Sequence, residues 1–212
     1  MKVTVIGEWG GFPKVNGASS GYLFQSNGFN LLVDCGSAVL SKLQRYIPVE
    51  QLDAVILSHY HHDHVADIGP LQHARLVKRY MGIQQVTLPI YGHLLDEEGF
   101  ARLTHDVDTI GVAYDPTQSI QIGPFTITFQ QTIHPAPCFA MRITDGNTTV
   151  VYTGDSAYLE AFHTFAKQAD VLICECNFYE GMDGRSAGHM NSIEAATIAK
   201  EAQVDTLLLT HL

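Results

Sequence analysis

The chain has 212 residues, 46% of them hydrophobic and 16% charged, which is the composition of a soluble globular protein with a substantial core. Its formal charge of −10, from 12 basic and 22 acidic residues, argues against a wide grip on a polyanion, because such binding draws on many Lys and Arg contacts to phosphates. There is no run of 18 apolar residues, no signal-peptide pattern in MKVTVIGEWGG, and no disulfide framework in Cys35, Cys138, Cys174 and Cys176, so a cytoplasmic protein with no membrane partner is expected.

In chain order, MKVTVIG predicts a strand, broken by Gly10, Gly11 and Pro13. SGYLFQSNGFNLLVDCG predicts a hairpin with its turn at Ser-Asn-Gly. SAVLSKLQRYI carries Val39, Leu40, Leu43 and Tyr46 at helical spacing. LDAVILS is a short apolar run of buried-strand type. A helix is predicted over about 66–80, with Ile68, Leu71, Leu76 and Val77 as its inner face. VTLPIYG predicts a strand and HLLDEEGFARL a helix. SIQIGPFTITFQQTI predicts two strands around Gly123-Pro124, and CFAMRITDGNTTVVYTGD a hairpin turning at Asp145-Gly146. SAYLEAFHTFAKQ predicts a helix, ADVLICEC a strand, NSIEAATIAKEAQ a helix and DTLLLTHL a last strand. Hairpins come first and strand–helix alternation follows. The pattern predicts an α+β fold in one domain over 1–212: two mixed sheets packed together with helices outside, a four-layer αββα sandwich. No internal repeat is detectable.

Between LDAVILS and the helix after it lies SHYHHDHVAD, which sets four histidines and two aspartates in ten residues. Side chains alternate faces in an extended segment, so His59 and His61 point the same way. A turn then brings Asp63 and His64 to the same cavity. Imidazole and carboxylate suit Zn, Mn or Fe, and two such pairs are too crowded for one tetrahedral site, so two metals are the natural reading. A solvated polar loop is the alternative, but it does not explain the placement between a buried strand and an amphipathic helix. Three further candidates follow strand-like runs: His134 after ITFQQTI, Asp155 after TTVVYTG, and His211 after DTLLLT. Each alone would be an ordinary loop residue.

Taken in order, His-x-His-x-Asp-His at 59–64, a strand-end His, Thr-Gly-Asp at 153–155 and a late Thr-His resemble the metallo-β-lactamase superfamily over nearly the whole chain. The resemblance implies the αββα sandwich with its site at one edge of the sheets. It implies His59, His61 and His134 on one divalent metal, Asp63, His64 and His211 on a second, and Asp155 bridging them. Zn²⁺ is the expected ion, with Mn²⁺ as the alternative.

The branch is narrowed by departures. Asp155 stands where the best-known β-lactam-hydrolysing branch uses cysteine. His61 stands where the di-iron reductases carry glutamate, and the extra domains of those reductases and of glyoxalase II-type thioesterases are not expected beside this one. GHMNSIEAATIAKEAQVDTLLLTHL, 188–212, is similar to the end of the ribonuclease Z-like phosphodiesterase branch. There a histidine matching His189 assists phosphate chemistry without being a core ligand. His189 also lies two residues ahead of Asn191, an N-cap with Glu194 at capping-box spacing, near the positive end of a helix. The arm with which ribonuclease Z grips tRNA has no counterpart here, so tRNA is not the expected substrate. The expected function is a dinuclear-metal phosphodiesterase acting on small or cyclic nucleotide-type phosphodiesters. Two metals would share a water and lower its pKa toward neutrality. Asp63 would orient that water or take its proton, and His189 would steady a phosphoryl oxygen or protonate the leaving alkoxide. The alternatives are a lactone or thioester hydrolase on the same metals, or a ribonuclease Z-like RNA endonuclease.

Asp34 and Asp67 are placed either to accept a hydrogen bond from a ligand imidazole or to act as plain caps. His62 points away from its neighbours, and Cys174 and Cys176 read as core. The oligomeric state is unreadable, and a homodimer stays open. With His211 one residue from the end of the sequence, an extension beyond Leu212 is expected.

Overall fold

The computed structural model describes residues 1–83 and 85–212. The chain forms two compact units, Lys2–Tyr114 and Asp115–Leu212, the second joined by Met1. Each is built on one six-stranded mixed sheet flanked by helices.

The first unit opens with a meander. β1 (Lys2–Gly7) pairs antiparallel with β2 (Gly21–Ser26), and β2 with β3 (Phe29–Val33). The turn between β2 and β3 is Asn27-Gly28, both left-handed (φ 50° and 80°), as a tight hairpin requires. The chain then changes habit. α1 (Val39–Leu43) crosses to β4 (Ala54–Ile56), which lies parallel to β3. A short α2 (His62–Val65) and the longer α3 (Ile68–Tyr80) lead to β5 (Leu88–Gly92), and α4 (Glu97–Ala101) to β6 (Thr109–Ala113), both parallel additions. A parallel pair needs such a crossover, because a tight turn can only reverse the chain. β4 reads AVI and is buried throughout, as a central parallel strand must be. Leu23, Leu32, Val55, Leu57, Leu71 and Ile90 form its core.

Two expectations for this unit need correction. β6 (TIGVA) carries two polar-neutral small positions and was not among the predicted strands. The inner face of α3 holds Ile68 and Leu71 as expected, but then Gln72 and Arg75, while Val77 is exposed. Arg75 is buried with two of its three guanidinium nitrogens satisfied: Nε donates to the carbonyl of Asp108, and Nη2 to that of Val86. Gln72 Nε2 donates to Arg102 O and Thr109 Oγ1. Hydrophobic periodicity cannot see a buried polar side chain that finds backbone acceptors.

The second unit repeats the order of events. β7 (Ile120–Ile122), β8 (Phe125–Gln131), β9 (Phe139–Thr144) and β10 (Thr149–Tyr152) form an antiparallel meander. α5 (Phe162–Phe165) then crosses to β11 (Val171–Glu175), and α6 (Ser192–Glu201) to β12 (Thr206–Thr210), both parallel. α5 is one turn long, much shorter than the helix SAYLEAFHTFAKQ predicts. α6 starts where expected, with the full capping box: Asn191 Oδ1 accepts from Glu194 N and Glu194 Oε2 accepts from Asn191 N. Val151, Phe162, Leu172, Met190 and Ile198 are buried together. No helix among the described residues is long and apolar enough to cross a membrane.

In both units the residues singled out above leave the carboxyl ends of strands. His59–His64 follow β4, His134 follows β8, Asp155 follows β10 and His211 follows β12. That edge is where open α/β sheets bind ligands, since successive loops converge there.

Candidate metal centre

Within Lys2–Tyr114 the histidine-rich loop folds as the alternation argument requires. The rings of His59 and His61 lie 4.7 Å apart, and those of His59 and His64 4.2 Å. His64 Nε2 is 3.5 Å from Asp63 Oδ2. Asp63 is held from the other side by Gly11 N–H, which donates to the same Oδ2 at 2.8 Å. His59 and His64 are fully buried, His61 and Asp63 partly so, and His62 is exposed as expected.

Asp34 orients this set. It follows β3 in a left-handed conformation (φ 56°) and is buried. Its Oδ2 accepts from His64 Nδ1 at 2.7 Å and from Ser58 Oγ at 2.8 Å, and Oδ1 accepts from Ser58 N at 2.8 Å. Ser58 Oγ lies 3.0 Å from His59 Nδ1. One carboxylate thus fixes two imidazoles, one directly and one through a hydroxyl. With Nδ1 engaged in each, Nε2 would be the nitrogen offered to a metal, the usual arrangement behind a ligand histidine. Asp67 does something else. Its Oδ2 accepts from Leu40 N at 2.9 Å, so it ties down the start of α1 and leaves the imidazoles to Asp34. Tyr60, to which the sequence assigns no role, anchors the loop between His59 and His61. Its hydroxyl donates to His93 O at 2.8 Å, and its ring fills space left by Gly99, where a Cβ would come within 2.5 Å of it.

Within Asp115–Leu212 a second set gathers around Asp155. His211 Nε2 is 3.2 Å and His134 Nε2 3.8 Å from Asp155 Oδ2. Two ligands about 2.0–2.1 Å from a tetrahedral zinc sit roughly 3.3 Å from each other, so these spacings suit atoms sharing an ion. His134 Nδ1 faces Gly188 O at 3.1 Å, which again leaves Nε2 for metal. Gly188 must be glycine: φ is +79°, and a Cβ would stand 2.6 Å from Pro135 and 3.0 Å from His134. His211 is left-handed too (φ 58°), a conformation a non-glycine residue adopts only when its surroundings impose it.

His189 stands beside this set, its ring 5.2 Å from that of His134 and stacked 5.1 Å from that of His211. Its Nδ1 donates to Glu175 Oε1 at 2.8 Å. The fully buried Glu175 also accepts from Ser156 N and Met190 N, both at 3.0 Å, and from Asn177 N at 3.3 Å. Glu175, His189 and His211 are close enough to hold an ion. With its oxygens spent on backbone N–H groups, Glu175 is instead the group that orients His189. Sequence reasoning missed it. The signal was a carboxylate in LICEC, between two cysteines that are both buried, where a charge has to be holding something.

The donor set fits divalent metals of the zinc type: imidazole nitrogens with their second nitrogen engaged, and carboxylates beside them. The seven expected ligands therefore fall into two local sets, four residues after β4 and three at the ends of β8, β10 and β12.

A family model described as the β-lactamase superfamily domain matches residues 29–212. A probable metallo-hydrolase, YhfI of Bacillus subtilis (strain 168), is 65% identical over 212 residues, spanning 100% of this chain and 87% of that protein. The crystal structure of the metallo-β-lactamase fold protein YhfI superposes with a TM-score of 0.98 at 64% identity, covering 99% of this chain and 85% of that one. At 20% identity, human tRNase Z, short form, shares the fold with a TM-score of 0.82 over 100% of this chain and 92% of its own. A diphosphatase of the PhnP family does so at 16% identity and 0.79, over 99% of this chain and 85% of its own. The two mixed sheets of six strands with flanking helices are the metallo-β-lactamase fold, and the chain belongs to the β-lactamase superfamily.

Proposed function

We propose that the protein is a dinuclear-metal hydrolase of phosphodiesters. In this reading His59, His61 and His134 hold one divalent ion, Asp63, His64 and His211 the other, and Asp155 serves both. The order of the superfamily motif along the chain supports this pairing, as does the convergence of each set within its own unit. When bound, such a pair of ions lowers the pKa of a water and offsets charge on a phosphoryl group.

The observation that carries the reaction class is the Glu175–His189 pair. Nδ1 is engaged by the carboxylate at 2.8 Å, so the imidazole is held in one orientation with Nε2 opposite. An imidazole steadied in this way can carry a proton on Nε2 and deliver it to a departing oxygen. Departure of an alkoxide from a phosphodiester needs such a proton. Asp63, with Oδ2 oriented by Gly11 N–H, would accept a proton from the attacking water. The kinship with YhfI, a probable metallo-hydrolase, and the shared fold of the diphosphatase and tRNase Z are consistent with this class.

The test is a parallel assay of the metal-loaded protein on bis(p-nitrophenyl) phosphate, cyclic nucleotides, a lactone and a β-lactam. Turnover of the phosphodiesters is expected. Turnover of the lactone alone would replace the phosphodiesterase reading with a carbonyl hydrolase.

A further inference from the structure

A cavity of about 200 Å³ opens in the second unit, lined by Ile133, His134, Pro135, Arg185, Ser186 and Gly188. One wall is a candidate metal ligand, His134. Arg185, Ser186 and Gly188 come from the turn 183–188, whose backbone is tightly tied. Asp183 Oδ1 accepts from Arg185 N at 3.0 Å, Gly184 O accepts from Ala187 N and His189 N, and Arg185 O accepts from Gly188 N. Asp183 therefore spends that oxygen on the Arg185 backbone. Among the described residues no carboxylate pairs with the exposed guanidinium. This is unusual company for a cation, because 115–212 holds only four basic residues, Arg142, Lys167, Arg185 and Lys200, among 11 acidic ones. Arg142 is committed to the carbonyls of Phe165 and Lys167, and Lys200 lies in the last turn of α6. Arg185 alone is held, uncompensated, on a fixed turn at a cavity beside the metal set.

We propose that this cavity is a second anion subsite, in which Arg185 takes a phosphoryl group of the substrate other than the one being cleaved. The planar guanidinium presents paired N–H donors that match two phosphate oxygens, and the Ser186 hydroxyl adds a further donor. The proposal rests on the phosphodiesterase reading and narrows its substrate class. A cyclic mononucleotide has one phosphoryl group and leaves the subsite empty. A linear nucleotide diester with a terminal phosphate fills it.

Adenosine 3′,5′-bisphosphate and adenosine 5′-monophosphate separate the two cases, since both are phosphomonoesters and only the first carries the additional group. Calorimetric titration of each into the metal-loaded protein should find the bisphosphate bound about tenfold more tightly, the return of one bidentate charge-assisted pair. The ratio should fall toward one in Arg185→Ala and lie between in Arg185→Lys, which keeps the charge and loses the fork. Equal affinities in the wild type, or an undiminished ratio in Arg185→Ala, would overturn the subsite. Bis(p-nitrophenyl) phosphate has no second phosphoryl group. Its turnover by the wild type is a separate arm, whose failure strikes the phosphodiesterase reading and leaves the binding ratio to decide the subsite.

Discussion

At the scale of single residues, buried carboxylates do the orienting. Glu175 accepts four hydrogen bonds, one of them from His189. If His189 delivers a proton to the leaving oxygen, His189→Ala should keep its metals. It should lose about 10²–10⁴ in kcat/KM on a diester with an alkoxide leaving group. The loss should shrink for p-nitrophenolate, which departs without a proton, and equal losses on the two would remove the acid role. Asp34→Ala should lower metal affinity about 10–100-fold, because it frees the Nδ1 side of His64 and, through Ser58, of His59; chelator competition measures it. An unchanged affinity would reduce Asp34 to a structural residue. The candidate ligands at 59–64 stood out by spacing, because a metal needs several donors close together and a dense motif offers them, whereas His134, Asp155 and His211 were singled out by their strand-end positions and the family resemblance. Glu175 and Tyr60 were not legible. Each acts through a contact with residues far away in the sequence, and such partners appear only when the chain is folded.

At the scale of elements, the capping box of α6 sets the direction in which the chain leaves His189. Asn191→Ala removes the acceptor for Ile193 N and Glu194 N and should cost about 1 kcal/mol of unfolding free energy, measured by denaturant titration. The other element-scale tie is at α3. Arg79 Nε and Nη2 each donate at 3.0 Å to Asp108, just ahead of β6, and this hydrogen bonding holds the Asp108 carboxyl below the ordinary carboxylate range. A group whose pKa is depressed by folding stabilises above its unfolded value, near 3.9, and loses that contribution as pH falls through its folded value. Asp108→Asn should therefore be less stable than the wild type at pH 6, and the gap between their melting temperatures should close below about pH 4. A gap that persisted in acid would place the effect in packing rather than in the charge. These elements differ in how well sequence announced them. α6 has both a cap and an apolar face, and its boundary was read correctly. α5 has apolar residues at helical spacing but no side-chain cap on its Ala161 start, and it closes only one turn.

At the scale of the whole molecule, each unit is an antiparallel meander that turns into parallel strands joined by helices. No repeat was visible in the residues, because burial and hydrogen-bond pattern constrain residue class and leave identity free. The sheet count, the mixed pairing and the strand ends that deliver the site all followed from periodicity and turn chemistry, and family resemblance joined them into one fold. The proposed function requires that the seven candidate ligands hold two ions, with Asp155 common to both. Native mass spectrometry during titration with Zn²⁺ tests it most directly, on the wild type and on Asp155→Ala. Two ions per chain are expected in the wild type, and in the variant a weakening of both together, since one carboxylate serves both. Two ions bound to Asp155→Ala at unchanged affinity, or a wild type that saturates at one, would contradict it.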